Sequence, residues 1–190
     1  MINKKILDHI NTIKSLSKLK KEIDKVIQLI FLTIRSNKKI LICGNGGSAA
    51  DAQHLAAEFI VRLKSSYNRK ALPIIPLALD SSTMTACGND YGFENIFSRT
   101  FEALSAKGDL LIVLSTSGNS KNIIKVLKKA KKKKIKTVCF LGNKGGKSKK
   151  YGHQNIIVPS KDTAIIQESH IFLGHYIFEE VEKKIFKRNY

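Results

Sequence analysis

Hydrophobic positions along the chain follow two different patterns. In residues 2–36, Ile6, Leu7, Ile10 and Ile13, then Ile23, Val26, Ile27, Ile30, Phe31 and Ile34, recur at spacings of three and four. That period predicts amphipathic helices, with a break near Ser15 to Lys18. After Ser36 and Asn37 the pattern changes to short continuous apolar runs: KILIC (39–43), IIPLAL (74–79), DLLIVLS (109–115), KTVCFLG (136–142) and NIIVP (155–159), each bounded by Gly, Asp, Asn or Pro. Most lack the alternation of a strand with one wet face. Separated by helical patterns near 48–65, 93–105, 119–134 and 162–188, they predict a parallel sheet covered on both sides. The fold class is therefore α/β, a three-layer doubly wound five-stranded parallel sheet preceded by N-terminal helices. We read one domain, with a helical segment over 1–36 and the sheet domain over 37–190. The N-terminal stripe is long for a segment preceding the first strand, so part of it is expected to pack against another subunit.

Length and composition fit this reading. A chain of 190 residues, 43% hydrophobic, can bury a full core without disulfide staples. No stretch reaches the roughly 18 apolar residues that a membrane helix needs, so a soluble, unexported, cytoplasmic protein without a membrane partner is expected. Cys43, Cys87 and Cys139 are odd in number, widely spaced and without a CxxC pair, which suits buried thiols in a reducing compartment. The net charge of +19 invites a nucleic-acid reading. Against it, the basic residues are 29 Lys and only 5 Arg, whereas arginine is favoured for bidentate contacts to phosphate and guanine. No nucleic-acid partner is expected, although the charge would attract an anionic substrate. The lysine-rich KVLKKAKKKKIK (125–136) still carries apolar positions and reads as a solvated helix face.

Three stretches carry candidate chemistry. CGNGGS (43–48) joins a strand to a helix, where open parallel sheets bind ligands, and its glycines permit close backbone approach. Gly44, Gly46 and Gly47 do not make GxGxxG, and no acidic residue ends the second strand, which disfavours a dinucleotide. GGKS (145–148) is no P-loop either, because the required first glycine falls on Leu141. LSTSGNSKN (114–122) gathers Ser115, Thr116, Ser117 and Ser120 around Gly118 at a helix start. Free backbone N–H groups with that many hydroxyls form an anion cradle suited to a phosphomonoester. His54 and Glu58 stand four apart on a predicted helix and share a face, able to reach one metal or one substrate. The last helix adds Gln167, Glu168, His170 and His175. Gln167 and His175, eight apart, are separated by about 12 Å along a helix axis. For both to reach one ion, the helix must be irregular or a second subunit must contribute.

Four motifs in order, CGNGGSAADAQHLAAE (43–58), MTACGNDYGFE (84–94), GDLLIVLSTSGNSKN (108–122) and DTAIIQESHIFLGH (162–175), resemble the sugar isomerase (SIS) domain family, over nearly the whole chain. The resemblance implies a flavodoxin-like SIS fold and a homotetramer with active sites between subunits. It also implies one zinc ion per subunit at His54, Glu58, Gln167 and His175. The family's phosphate loop falls on Ser115, Thr116, Ser117 and Ser120, with Ser48 and the glycine turn at Gly46 and Gly47 beside it. Asn45, Arg62, Asn89, Asp90 and Gln167 are the implied sugar contacts. The implied reaction interconverts D-sedoheptulose 7-phosphate and D-glycero-D-manno-heptose 7-phosphate through an enediol, an entry to nucleotide-activated heptose, with Glu58 as base and His175 as partner acid. Two departures stand out: Val61 precedes Arg62 where many relatives have glycine, and 125–136 is unusually rich in lysine. The rivals are a non-catalytic relative that binds the bacterial replication initiator, which lacks the carboxylate and imidazole present here as Glu58 and His175, and an isomerase or sensor for another ketose phosphate.

Overall fold

The structure, a computed structural model, describes residues 1–77 and 80–187. The N-terminal stripe forms α1 (Ile2–Ser15) and α2 (Lys20–Arg35), joined by a single 3-10 turn at Leu16–Leu19, where the sequence predicted a break. The apolar runs form β1 (Ile40–Cys43), β2 (Ile74–Pro76), β3 (Leu110–Ser115), β4 (Lys136–Gly142) and β5 (Gln154–Val158). Between and after them lie α3 (Gly47–Ile60), α4 (Ser81–Tyr91), α5 (Ile96–Leu104), α6 (Lys121–Lys132) and α7 (Thr163–Phe186). Every strand pairing is parallel, in the order β2-β1-β3-β4-β5. This is the doubly wound arrangement that the continuous apolar runs predicted.

Alternation within those runs divides the core into two layers. Ile40 and Ile42 of β1, Leu110, Ile112 and Leu114 of β3, and Val138 and Phe140 of β4 face α2, α3 and α7. Leu41 and Cys43, Leu111 and Val113, and Cys139 and Leu141 point the other way, toward α5 and α6. With both faces covered, a strand needs apolar residues at every position, which is why the alternation was invisible in sequence. All three cysteines are free and buried. Burial pushes the Cys43 thiol up, and the Cys139 thiol to about 12, so neither supplies a thiolate near neutral pH.

Several boundaries differ from expectation. The run at 74–79 yields a strand only as far as Pro76, and its residues 78 and 79 lie outside the described part. Helix α3 stops at Ile60 rather than near 65. The helix α4 was not predicted at all. It carries Thr83, Thr85, Gly88 and Asn89, poor helix formers, and buries only Cys87, so it shows no apolar stripe. Its start is fixed by Asp80, whose carboxylate accepts a 2.9 Å bond from the Thr83 N–H. The lysine-rich stretch behaves as expected: α6 buries Ile123, Val126, Leu127 and Ala130 and turns its lysines outward, Lys129 meeting Glu102 at 2.9 Å. Among the described residues no helix is long and apolar enough to cross a membrane.

Candidate active site

In this strand order the direction of winding reverses between β1 and β3, and the loops leaving their carboxyl ends flank a crevice. The glycine turn follows β1, the serine loop follows β3, and the two are tied together. Asn45 Nδ2 donates to Asn122 Oδ1 at 2.9 Å, and Asn122 Nδ2 returns a bond to Asn45 Oδ1 at 2.8 Å. Asn122 is buried. The sequence reading passed over it, though an amide at the second position of α6 within the serine motif was its visible signal.

In the serine loop, two hydroxyls shape the backbone. Ser115 Oγ accepts from the Gly118 N–H and Ser117 Oγ from the Asn119 N–H, each at 3.1 Å. Ser120 is the N-cap residue of α6 yet makes no side-chain cap bond, so its hydroxyl remains available to an anion at the helix start, where the Ile123 N–H already donates to Asn122 Oδ1 at 2.9 Å. The GGK segment, rejected as a P-loop, turns out to support this loop from below. Gly118 lies at φ 64°, and a Cβ there would strike the Gly145 carbonyl. Ser148 N–H donates to Gly118 O at 2.8 Å and Lys147 N–H to Asn119 Oδ1 at 3.0 Å. The cradle is thus backbone laid on backbone.

His54, Glu58 and His175 are held differently, by two helices. Pairs across α3 and α7 advance together: Gly47 with Gln167, His54 with His175, Leu55 with Gly174, and Phe59 with Phe178. The helices therefore run parallel in fixed register. Gly174 makes this possible, since a Cβ there would lie 2.5 Å from Leu55 Cδ2. The result brings His54 Nε2 to 2.8 Å from His175 Nε2 and 3.6 Å from Glu58 Oε1. Each of the three residues offers a ligand atom, all within 4.8 Å of one another. Burial, reinforced by the neighbouring His54 and opposed by Glu58, lowers the His175 pKa, so that its imidazole is neutral near pH 7.

His175 reaches His54 within one chain, so this contact needs no second subunit. Nor is α7 irregular; it is one unbroken helix. As the eight-residue spacing predicted, Gln167 sits apart from His175, its amide against Gly47 at the head of α3, where a Cβ on Gly47 would come within 2.5 Å of Nε2. Ser48 is buried beside the glycine turn and Gly46 is exposed. Arg62, beyond the C-terminal end of α3, is exposed. Asn89 and Asp90 are exposed on α4, where Asn89 Nδ2 donates to Asp90 Oδ1 at 2.8 Å. The structure thus gathers His54, Glu58 and His175 at one place and the serine loop with Asn45 at another.

Comparison with known proteins gives a consistent result. Residues 6–142 match the family model described as SIS domain. A phosphoheptose isomerase of Clostridium acetobutylicum is 48% identical, over 87% of this chain and 83% of the relative. One from Helicobacter pylori is 45% identical over 100% of this chain and 98% of the relative. Among solved structures, the phosphoheptose isomerase of Neisseria gonorrhoeae superposes with a TM-score of 0.89 at 35% identity, covering 96% of this chain and 97% of that one.

Proposed function

This chain belongs to the SIS domain family and, within it, to the phosphoheptose isomerases, and on that premise we propose that it interconverts D-sedoheptulose 7-phosphate and D-glycero-D-manno-heptose 7-phosphate. The observation that carries this reading is the convergence of His54, Glu58 and His175 in a chain so closely related to enzymes of that name. Glu58 acts as the base. It takes the C2 proton of the aldose while O1 gains one, giving the 1,2-enediol; a proton returned to C1, with loss of the O2 proton, gives the ketose. His175, held neutral by burial, presents an N–H to the oxygen that develops charge.

The donor set fits a metal ion. Two imidazole nitrogens face one another at 2.8 Å with a carboxylate beside them, the mixed set that zinc accepts with a position left open. His54, Glu58 and His175 would hold the ion, and bound zinc would polarise the substrate carbonyl. Gln167, set apart along the same unbroken helix, would complete the set only from a second subunit. At the far end, Ser115, Thr116, Ser117 and Ser120 bind the phosphate, with Ser48, Gly46 and Gly47 bordering them. Asn45, Arg62, Asn89 and Asp90 contact the sugar hydroxyls. Phosphate binding fixes the remote end so that C1 and C2 meet Glu58. We also assign a cytoplasmic homotetramer with active sites between subunits, supported by the exposed apolar side chains of α1, Ile6, Leu7 and Ile10. Sedimentation at the mass of one chain would count against it.

The decisive experiment incubates the purified protein with sedoheptulose 7-phosphate in deuterated water, before and after chelation and zinc restoration. Deuterium at C2 of a heptose 7-phosphate is the expected product. Absence of exchange and turnover in the zinc-loaded protein, with tight binding of a replication initiator, would overturn the enzyme reading in favour of a scaffold.

A further inference from the structure

The apolar stripe of α7 repeats as buried pairs, Ile165 and Ile166, Ser169 and His170, Leu173 and Gly174, Ile177 and Phe178, then Val181 and Glu182. A carboxylate in that last position cannot remain buried without a cation. Its partner is Arg69, from the loop after α3, and the two side chains are only 2% and 1% exposed. Arg69 Nε donates to Glu182 Oε1 at 3.0 Å, and Nη2 also contacts that oxygen. The rest of the guanidinium is turned onto the end of α3. Nη2 donates to the Glu58 carbonyl at 2.9 Å, and Nη1 donates to Phe59 O at 2.9 Å, Val61 O at 3.3 Å and Lys70 O at 3.2 Å. One planar fork thus reaches the Glu58 and Phe59 carbonyls in the last turn of α3, the Val61 carbonyl at its C-cap and the Lys70 carbonyl beyond, and complements the negative end of the helix dipole.

This fork grips the backbone of Glu58 itself, and its anchor lies seven residues beyond His175 on the facing helix. Resting on the isomerase reading above, we propose that Arg69 and Glu182 are positioning residues. They fix the last turn of α3 against α7 and thereby set His54 and Glu58 in reach of His175. Stability alone is a poor explanation for such a pair, because apolar side chains of similar volume usually serve a core as well or better. A lysine at 69 would keep the charge but could not span four carbonyls and a carboxylate. The Lys39 and Asp109 pair, 2.7 Å apart with Asp109 buried and Lys39 partly exposed, provides a contrast: it joins the residues that precede β1 and β3, at the strand ends opposite the glycine turn and the serine loop.

The test uses Arg69→Lys, Glu182→Gln and the paired apolar replacement Arg69→Met with Glu182→Leu, each zinc-loaded. For variants that remain folded in thermal melts, kcat should fall about 100-fold, the scale of an ångström-sized misplacement. KM and inhibition by inorganic phosphate should stay within about twofold, since the serine loop is on a different strand. A second readout, free of turnover, is the nuclear Overhauser contact between the His54 and His175 rings in protein labelled with ¹³C at histidine. It should be present in the parent chain and lost in the single variants. The paired apolar variant should recover its melting temperature but neither kcat nor the ring contact. Wild-type kcat and ring contact in the folded single variants, or recovery of both along with stability in the paired one, would overturn the proposal. A parent chain without isomerase activity whose ring contact still depends on Arg69 would refute the isomerase reading and leave the positioning role standing.

Discussion

The two ends of the site are built from different materials. At the serine loop the proposed phosphate site combines hydroxyls with backbone N–H groups, the backbone being shaped by Ser115 and Ser117 and laid against Gly145. At the helix pair they are side chains, His54, Glu58 and His175, held by the packing of α3 on α7. An anion is recognised well by N–H groups whose position is set by covalent geometry. Proton transfer needs groups whose protonation can be tuned, and only side chains provide that. Binding and chemistry should therefore fail independently when either end is altered.

The largest effect is expected from Glu58→Gln. If Glu58 moves the proton, kcat should fall about 10³-fold, within the range for loss of a general base, while inhibition by inorganic phosphate is unchanged. Full activity in this variant would remove the base assignment.

A second break lies in acid. His170 is fully buried on α7, its Nε2 3.2 Å from the Leu141 carbonyl, and burial lowers its pKa to about 4. The unfolded imidazole protonates near its ordinary value of about 6.5, so between these two values protons favour the unfolded chain. Stability should fall as pH drops through this window, by about 3 kcal/mol if the full shift is expressed, and should return as pH rises. Denaturant titrations at pH 7 and pH 4.5 would measure this, and His170→Asn should flatten the dependence.

Gly174→Ala comes next. Its methyl group would collide with Leu55 and push the helices apart, costing about 1–3 kcal/mol and lowering kcat with little change in KM. A fall in KM-linked binding alone would mean that the helix register does not govern the chemistry.

The smallest effect sharpens the comparison from the other end. Ser120→Ala should raise KM about 3–10-fold, the worth of one hydrogen bond, with kcat and melting temperature unchanged because Ser120 makes no cap bond in the protein. A loss of helix stability instead would return Ser120 to an ordinary capping role.

Most of the sheet could be read from the sequence because runs such as DLLIVLS admit few alternatives once both faces are covered. The His54–Glu58 pair was equally legible, being local to one helix. Helix α4 was hidden because its residues neither favour a helix nor bury a stripe. The approach of His175 to His54 depends on how α3 packs on α7, a relation between residues 121 apart that no local period encodes. The role of Arg69 was hidden for the same reason, although Glu182 in an otherwise apolar stripe of α7 signalled that some cation had to meet it.

The parallel register of α3 and α7 has a consequence for how such a chain can vary. About a hundred residues separate the two helices in sequence, yet both lie on the same face of the sheet and meet through pairs that advance in step. Changes of length in the exposed loops between them, away from the Arg69 segment, need not shift that register, whereas one residue added inside either helix turns every later side chain by about 100° and dismantles the constellation at once. Together with the Arg69 loop, the two segments form a transplantable unit: moved together onto another parallel sheet, they would carry His54, Glu58 and His175 with them.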